Sequence, residues 1–240
     1  MNILITGGSS GLGEAITLCL AQSFPDDVLY FTYHNSVERA SELARQYSNA
    51  EAIRCDFTKK EQVLSLCAFI EEKGIDVLVN NAFASFAKTY FHKMTADEME
   101  GGFRMNVLPV LQITQAFVKQ ARKRKAGKIV TILSAYVKNN PPIGLGRYLA
   151  EKNYLLSMHK IWAVENAGFN ISSNCISPGF MQTRLNDDMD ERLIKEMTAK
   201  HPLKRLLTTD EVAQMVTLLL NASPQLNGQN IIMDSVQRIG

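Results

Sequence analysis

Seven short apolar runs, each separated from the next by a longer stretch with helical spacing, leave this chain few ways to fold. The runs are Asn2–Thr6, Val28–Tyr33, Ala52–Cys55, Val77–Asn80, Lys128–Leu133, Ile171–Ile176 and Asn230–Met233. Each has the length and apolar continuity of a strand covered on both faces. Helical spacing runs between them over residues 11–23, 36–48, 59–73, 96–124, 146–167 and 209–221, with Leu12, Ile16, Cys19 and Leu20 on one face of the first. Strand, helix, strand repetition requires right-handed crossovers, so the expected class is α/β, a doubly wound parallel sheet of about seven strands with helices on both faces. Capping boxes support two helix starts, Thr95 with Glu98 and Thr208 with Glu211. Gly101-Gly102 sits inside the fourth helix; each glycine costs about 1 kcal/mol relative to alanine there, and a bend is expected at the pair.

The chain has 240 residues, enough for one large α/β domain and too few for two. It reads as one domain over 1–240. Within it, residues 184–207 break the alternation with the Met-rich amphipathic stretch NDDMDERLIKEMTAKHPLKRL. Ligands of doubly wound folds sit beyond the carboxyl ends of the strands, so this insertion is expected to form a substrate lid. Apolar content of 46%, charged content of 21% and a net charge of +2 carry no global bias toward nucleic acid or membrane. Cys19, Cys55, Cys67 and Cys175 show no C-x-x-C spacing and lie in apolar stretches, as free thiols of a reducing compartment do. The N-terminus has no cationic region and reaches glycine at residue 7, and no apolar run approaches the ~18 residues of a membrane span. Neither a signal peptide nor a spanning helix is expected, and the cytoplasm is the expected location.

Directly behind the first run stands TGGSSGLG, Thr6 to Gly13. Glycine permits positive φ and lets another group approach the bare backbone, which suits a bulky anion between a strand and a helix. Gly8 and Gly13 have P-loop spacing, but Glu14 and Ala15 follow where that motif needs Lys and then Ser or Thr. Glutamate in place of a phosphate-neutralising lysine excludes an NTPase. Gly7, Gly11 and Gly13 instead give a G-x-x-x-G-x-G spacing related to dinucleotide loops.

Tyr148 and Lys152 stand four residues apart in a helical stretch and so project from one face. A tyrosine hydroxyl titrates near pH ~10, and a neighbouring ammonium lowers that value toward one useful for proton transfer. Ser134 ends the run IVTIL, which puts its hydroxyl at the carboxyl edge of the sheet, able to hold a carbonyl oxygen.

Together, TGGSSGLG, VNNA at Val79–Ala82, Asn106 in RMNV, Ser134, YLAEK at Tyr148–Lys152 and SPGFMQT at Ser177–Thr183 resemble the motifs of the classical short-chain dehydrogenase/reductases. They stand in family order and at family-like spacing over essentially the whole chain. The resemblance implies a Rossmann-type domain and an enzyme that moves hydride between a nicotinamide and a carbonyl or secondary alcohol. By that resemblance Tyr148 is the general acid that protonates the carbonyl oxygen, and the base in reverse. Lys152 holds the nicotinamide ribose and depresses the tyrosine pKa, Ser134 orients the substrate carbonyl, and Asn106 holds a water behind the lysine. The cofactor contacts it implies are Gly7, Ser9, Ser10, Gly11, Leu12 and Gly13 at the pyrophosphate, with Asp56 and Phe57 at the adenine. Asn80 would lie beside the adenine ribose with Asn81 and Ala82 next to it. Tyr148 and Lys152 would meet the nicotinamide ribose, and Pro178, Gly179 and Thr183 the amide end.

Dinucleotide folds that take NAD place an acid about 20 residues past the glycine loop. Counting from Gly13 reaches Tyr33, and FTYHNSVER has no acid until Glu38, while His34, Asn35 and Ser36 offer donors to a 2′-phosphate. NADP is the expected cofactor. Three positions leave the family pattern: Phe83 stands where NNAG has glycine, Glu151 precedes the lysine where something small is usual, and Ser235-Val236 follow Asp234 where many members have two glycines. Phe83 is expected to form an aromatic wall at the substrate mouth.

Apolar lid side chains (Met181, Leu185, Met189, Leu193, Ile194, Met197) favour a partly apolar substrate such as a 3-oxoacyl thioester, with a sugar or polyol as the alternative. HPLKRLLTTDEVA, from His201, resembles the tail of 3-oxoacyl carrier-protein reductases. The cationic run KQARKRKAGK, Lys119–Lys128, reads as a solvated helix end or as a dock for an acidic carrier protein. The rival of another class is a non-catalytic NADP-binding sensor or scaffold, against which the intact Ser, Tyr, Lys and Asn set speaks. His34, His92, His159 and His201 share no ligand spacing, so no catalytic metal is expected. The resemblance also implies a homo-tetramer or dimer.

Overall fold

The computed structural model describes residues 1–84, 88–138, 140–183 and 189–236. Seven strands, β1 (Asn2–Ile5), β2 (Val28–Tyr33), β3 (Ala50–Arg54), β4 (Val77–Asn80), β5 (Gly127–Ile132), β6 (Ile171–Pro178) and β7 (Asn230–Met233), form one sheet in the order β3-β2-β1-β4-β5-β6-β7. Every neighbouring pair is parallel, with Ile3 opposite both Leu29 and Val77, and Val130 opposite Val79 and Asn174. This is the expected doubly wound sheet.

Side chains alternate across each strand, and both faces are covered. Ile3, Ile5, Phe31, Val79 and Ile176 pack under α1 (Gly11–Ser23), α2 (Val37–Gln46) and α8 (Thr209–Asn221). Leu4, Leu78, Ile129 and Cys175 pack under α3 (Lys60–Lys73), α5 (Leu108–Arg124) and α6 (Gly146–Asn166). Two buried faces are why the strands read as unbroken apolar runs. Each fully buried Ile, Leu or Phe stabilises by about 1.5–3 kcal/mol. Both capping boxes form, at Thr95 with Glu98 and at Thr208 with Glu211.

Two elements differ from expectation. The helix expected over 96–124 is two helices, α4 (Ala96–Asn106) and α5, which break at Val107. No break occurs at Gly101-Gly102, through which α4 runs as regular helix. The cause of the break is Pro109, which lacks an N–H and fits only a helix's first turn. Gly102 serves packing instead: a Cβ there would lie 2.1 Å from Glu151 Oε1 and 2.7 Å from Arg147 Cδ. It lets α4 lie close against α6.

The second difference is a further helix, α7 (Glu191–Lys200), inside the insertion, with no buried residue along its length. Of the expected lid, Arg184–Asp188, Leu185 among them, lie outside the described residues. Cys55 and Cys175 are buried, Cys19 and Cys67 half-buried, and all four thiols are free. Among the described residues no helix is long and apolar enough to cross a membrane.

Candidate active site

Strand order reverses at β1, with β2 on one side and β4 on the other, so the loops leaving β1 and β4 part and leave a crevice at the carboxyl edge. A cleft of about 1220 Å³ opens there. The glycine loop floors it. Gly7 (φ 67°) and Gly11 (φ 54°) occupy the left-handed region, and a Cβ on Gly13 would lie 1.9 Å from the Gly7 carbonyl oxygen. These positions need glycine for conformation and for the close approach of α1.

The loop is stapled from both neighbouring strands. The Gly7 N–H donates to Thr32 Oγ1 at 2.8 Å. The Asn81 side-chain amide donates to the carbonyls of Thr6 (3.0 Å) and Gly7 (3.1 Å), while Thr6 Oγ1 accepts from the N–H groups of Asn81 and Ala82 at 3.0 Å each. The first-turn N–H groups of α1 lack helical acceptors, and the helix dipole adds positive potential there. Bare backbone, free donors and dipole fit a pyrophosphate. Glu14 ties α1 to α2, accepting from Arg39 Nη2 at 2.6 Å and Nε at 2.9 Å.

Further along, His34, Asn35, Ser36, Asp56 and Phe57 line the cleft. Asp56 accepts from the Thr58 N–H (2.9 Å) and hydroxyl (2.7 Å), and its other oxygen lies 3.2 Å from His34 Nε2. Burial raises the Asp56 pKa, but the two Thr58 hydrogen bonds with His34 and Lys59 outweigh it and leave the carboxyl below its ordinary range. Asn80 is not brought to the cleft. Its side chain is buried and donates to Thr114 Oγ1 at 3.0 Å; Asn81 and Ala82 line the cleft beside it.

At the other end, β5 delivers Ser134 and α6 delivers Tyr148 and Lys152, with Pro178, Gly179 and Thr183 after β6 completing the wall. Ser134 hydrogen-bonds the Tyr148 hydroxyl. Lys152 Nζ donates to the Ile132 carbonyl at 2.9 Å and stands 4.4 Å from the centre of the Phe83 ring. Phe83 also meets Tyr148 edge to face, centroids 5.2 Å apart, and lines the cleft there.

The electrostatics differ from the sequence expectation. Burial pushes the Tyr148 hydroxyl up to about 12, opposed by the Ser134 hydrogen bond and assisted by Tyr136. The Lys152 ammonium is turned toward Ile132 and Phe83 and stands 5.9 Å from the Tyr148 ring centre. Burial brings Lys152 itself down to about 8, against the raising effect of Glu151 and Cys175. Asn106 is buried with both side-chain ends engaged: its oxygen accepts from the Ala84 N–H (2.8 Å) and its amide donates to Glu151 Oε2 (2.8 Å). Its side chain supports the loop after β4.

The threonines that hold the glycine loop, Thr6 and Thr32, went unread in the sequence, where each passes for an ordinary β-branched strand residue. Tyr136 and Leu145 also line the cleft without a motif to mark them, as does Phe180 within SPGFMQT.

Fold and site together define a dinucleotide-dependent oxidoreductase. A family model described as enoyl-(acyl carrier protein) reductase matches residues 7–235. The 3-oxoacyl-[acyl-carrier-protein] reductase FabG of Thermotoga maritima is 30% identical over 239 residues, covering 96% of this chain and 95% of that protein. Carbonyl reductase family member 4 of Xenopus laevis is 30% identical, covering 96% and 94%. In fold, the chain matches an actinorhodin polyketide ketoreductase solved with NADPH at a TM-score of 0.87, over 98% of this chain and 96% of that one, at 22% identity. The chain belongs to the short-chain dehydrogenase/reductase family and is an oxidoreductase acting between carbonyl and alcohol groups.

Proposed function

We propose that the protein is an NADPH-dependent reductase of a ketone-type carbonyl. The observation that carries this is the convergence of Ser134, Tyr148 and Lys152 on a cleft whose other end is the glycine cradle. The glycine loop and the start of α1 would hold the pyrophosphate, and Lys152 with the segment after β6 the nicotinamide end. When bound, the nicotinamide would supply the hydride for the carbonyl carbon. Ser134 orients the carbonyl oxygen, and Tyr148 gives it a proton. With its hydroxyl pushed up to about 12, Tyr148 stays protonated through the neutral range, which supports the reducing direction.

NADP is supported by the lack of an acid from Tyr33 to Ser36 and by the donors His34, Asn35 and Ser36 along the cleft. Phe180, Met181, Met189, Leu193 and Met197 make the substrate end apolar, and with the FabG relative they support a 3-oxoacyl thioester. Ile194, half-buried on α7, is not among the residues that line the cleft. A carrier dock at Lys119–Lys128 has less support, since Arg122 lies 4.0 Å over the Phe169 ring and Arg124 donates to the Ile75 carbonyl beside Asp76. Exposed Tyr154, Ile161 and Val164 on α6 support a homo-oligomer.

Tyr148→Phe tests the mechanism. NADPH binding, followed by its fluorescence, should persist while turnover falls about 10²- to 10⁴-fold. Unchanged turnover would sink the assignment.

A further inference from the structure

Phe83 occupies a position where the resemblance leads one to expect glycine, and it does so without left-handed backbone strain. Its ring face covers Lys152 Nζ at 4.4 Å and its contact with Tyr148 is edge to face, 81° between planes. The loop carrying it is built in. The Ala84 N–H is held by Asn106, Asn106 is held by Glu151, and Glu151 Oε1 lies 3.5 Å from Arg147 Nε. Two departures from the family pattern, Phe83 and Glu151, are thereby joined through one asparagine.

We propose that Phe83 is a positioning residue of this active site: its π face steadies the buried Lys152 ammonium and its contact with Tyr148 sets the direction of the acid. This rests on the reductase reading of the cleft. Lys152 is 4% exposed, and the hydrogen bond described for its ammonium runs to one carbonyl. The Glu151 carboxylate is turned to Asn106 and Arg147. A desolvated ammonium over an aromatic face is attracted by the ring quadrupole, and an aliphatic side chain of equal bulk excludes water without supplying that attraction. The titratable groups around Lys152 are Glu151 and Tyr148 on α6 and Cys175 on β6, with Tyr136 beyond Tyr148. The Phe83 ring touches Tyr148, and the identities of all four groups are the same in every residue-83 variant.

The test follows the Lys152 ammonium directly by carbon NMR of lysine labelled at Cε, titrated in cofactor-free protein and assigned from the spectrum of Lys152→Met. Phe83→Leu should lower the Lys152 midpoint by about one pH unit, and Phe83→Met, a second aliphatic replacement, should lower it likewise. Phe83→Trp should keep the midpoint of the unaltered protein. A Leu or Met variant with that same midpoint, or a Trp variant that falls with them, would overturn the proposal. The titration needs no turnover, so an active Tyr148→Phe would end the reductase mechanism and leave this result to stand or fall on its own.

Discussion

Lys152 shows how much of a residue's chemistry is decided by where the fold puts it. The ammonium sits behind Phe83 and under the end of β5, out of reach of bulk water, and burial lowers its proton loss to about 8. The profile of kcat/KM against pH reports ionisations of the free enzyme. Carbonyl reduction should therefore be level up to about pH 8 and fall above it as Lys152 loses its charge; Tyr148, at about 12, adds no limb below that. A profile level to pH ~10, the ordinary lysine range, would refute this expectation. Ser134, Tyr148 and Lys152 stood out in the sequence through the resemblance of their motifs, in order and spacing, to a known family, and the fold brings all three to one cleft. The direction of the tyrosine shift was not legible, since desolvation depends on residues from β4, β5 and β6 that meet only in the fold.

Among the elements, α4 carries two adjacent glycines with opposite meanings. A Cβ on Gly101 meets nothing within 4 Å, whereas one on Gly102 collides with Glu151 and Arg147. Gly101→Ala should stabilise by about 0.5–1 kcal/mol through helix propensity. Gly102→Ala should destabilise by about 1–3 kcal/mol by forcing α4 off α6. Thermal unfolding should resolve the pair, since about 1 kcal/mol moves Tm by roughly 2–4 °C in a chain of this size; equal shifts of one sign would refute the packing role. The strands were legible within one or two residues at most ends because burial on both faces writes itself as apolar continuity. The break falls at Val107 and not at the two glycines because the deciding feature is the missing N–H of Pro109, which outweighs the flexibility of Gly101-Gly102.

For the whole molecule, the doubly wound class was legible from the alternation of strands and helices, and that class puts ligands at the carboxyl edge before any side chain is placed; the strand order came only with the fold. The preference between cofactors concerns the whole cleft as well. A ligand that binds only the folded state raises stability by about 2.7 kcal/mol at a hundred times its Kd, so NADPH should lift Tm more than NADH at equal concentration. A larger shift with NADH would reverse the reading of Tyr33–Ser36. At this scale α7 was not among the expected helices: the stretch was expected as an amphipathic lid, and its helix has no buried residue.

The staple at Asn81 also bears on how the molecule comes into being. It closes on Thr6 across 75 positions of sequence, and β1 takes its second sheet neighbour only when β4 arrives. Contacts this distant reward the chain only after a large loop-closure entropy has been met. On a growing chain, the glycine loop can be synthesised, and even flanked by β2 and α1, long before anything fixes its shape. The part of the site written first in the sequence is thus among the last to take form.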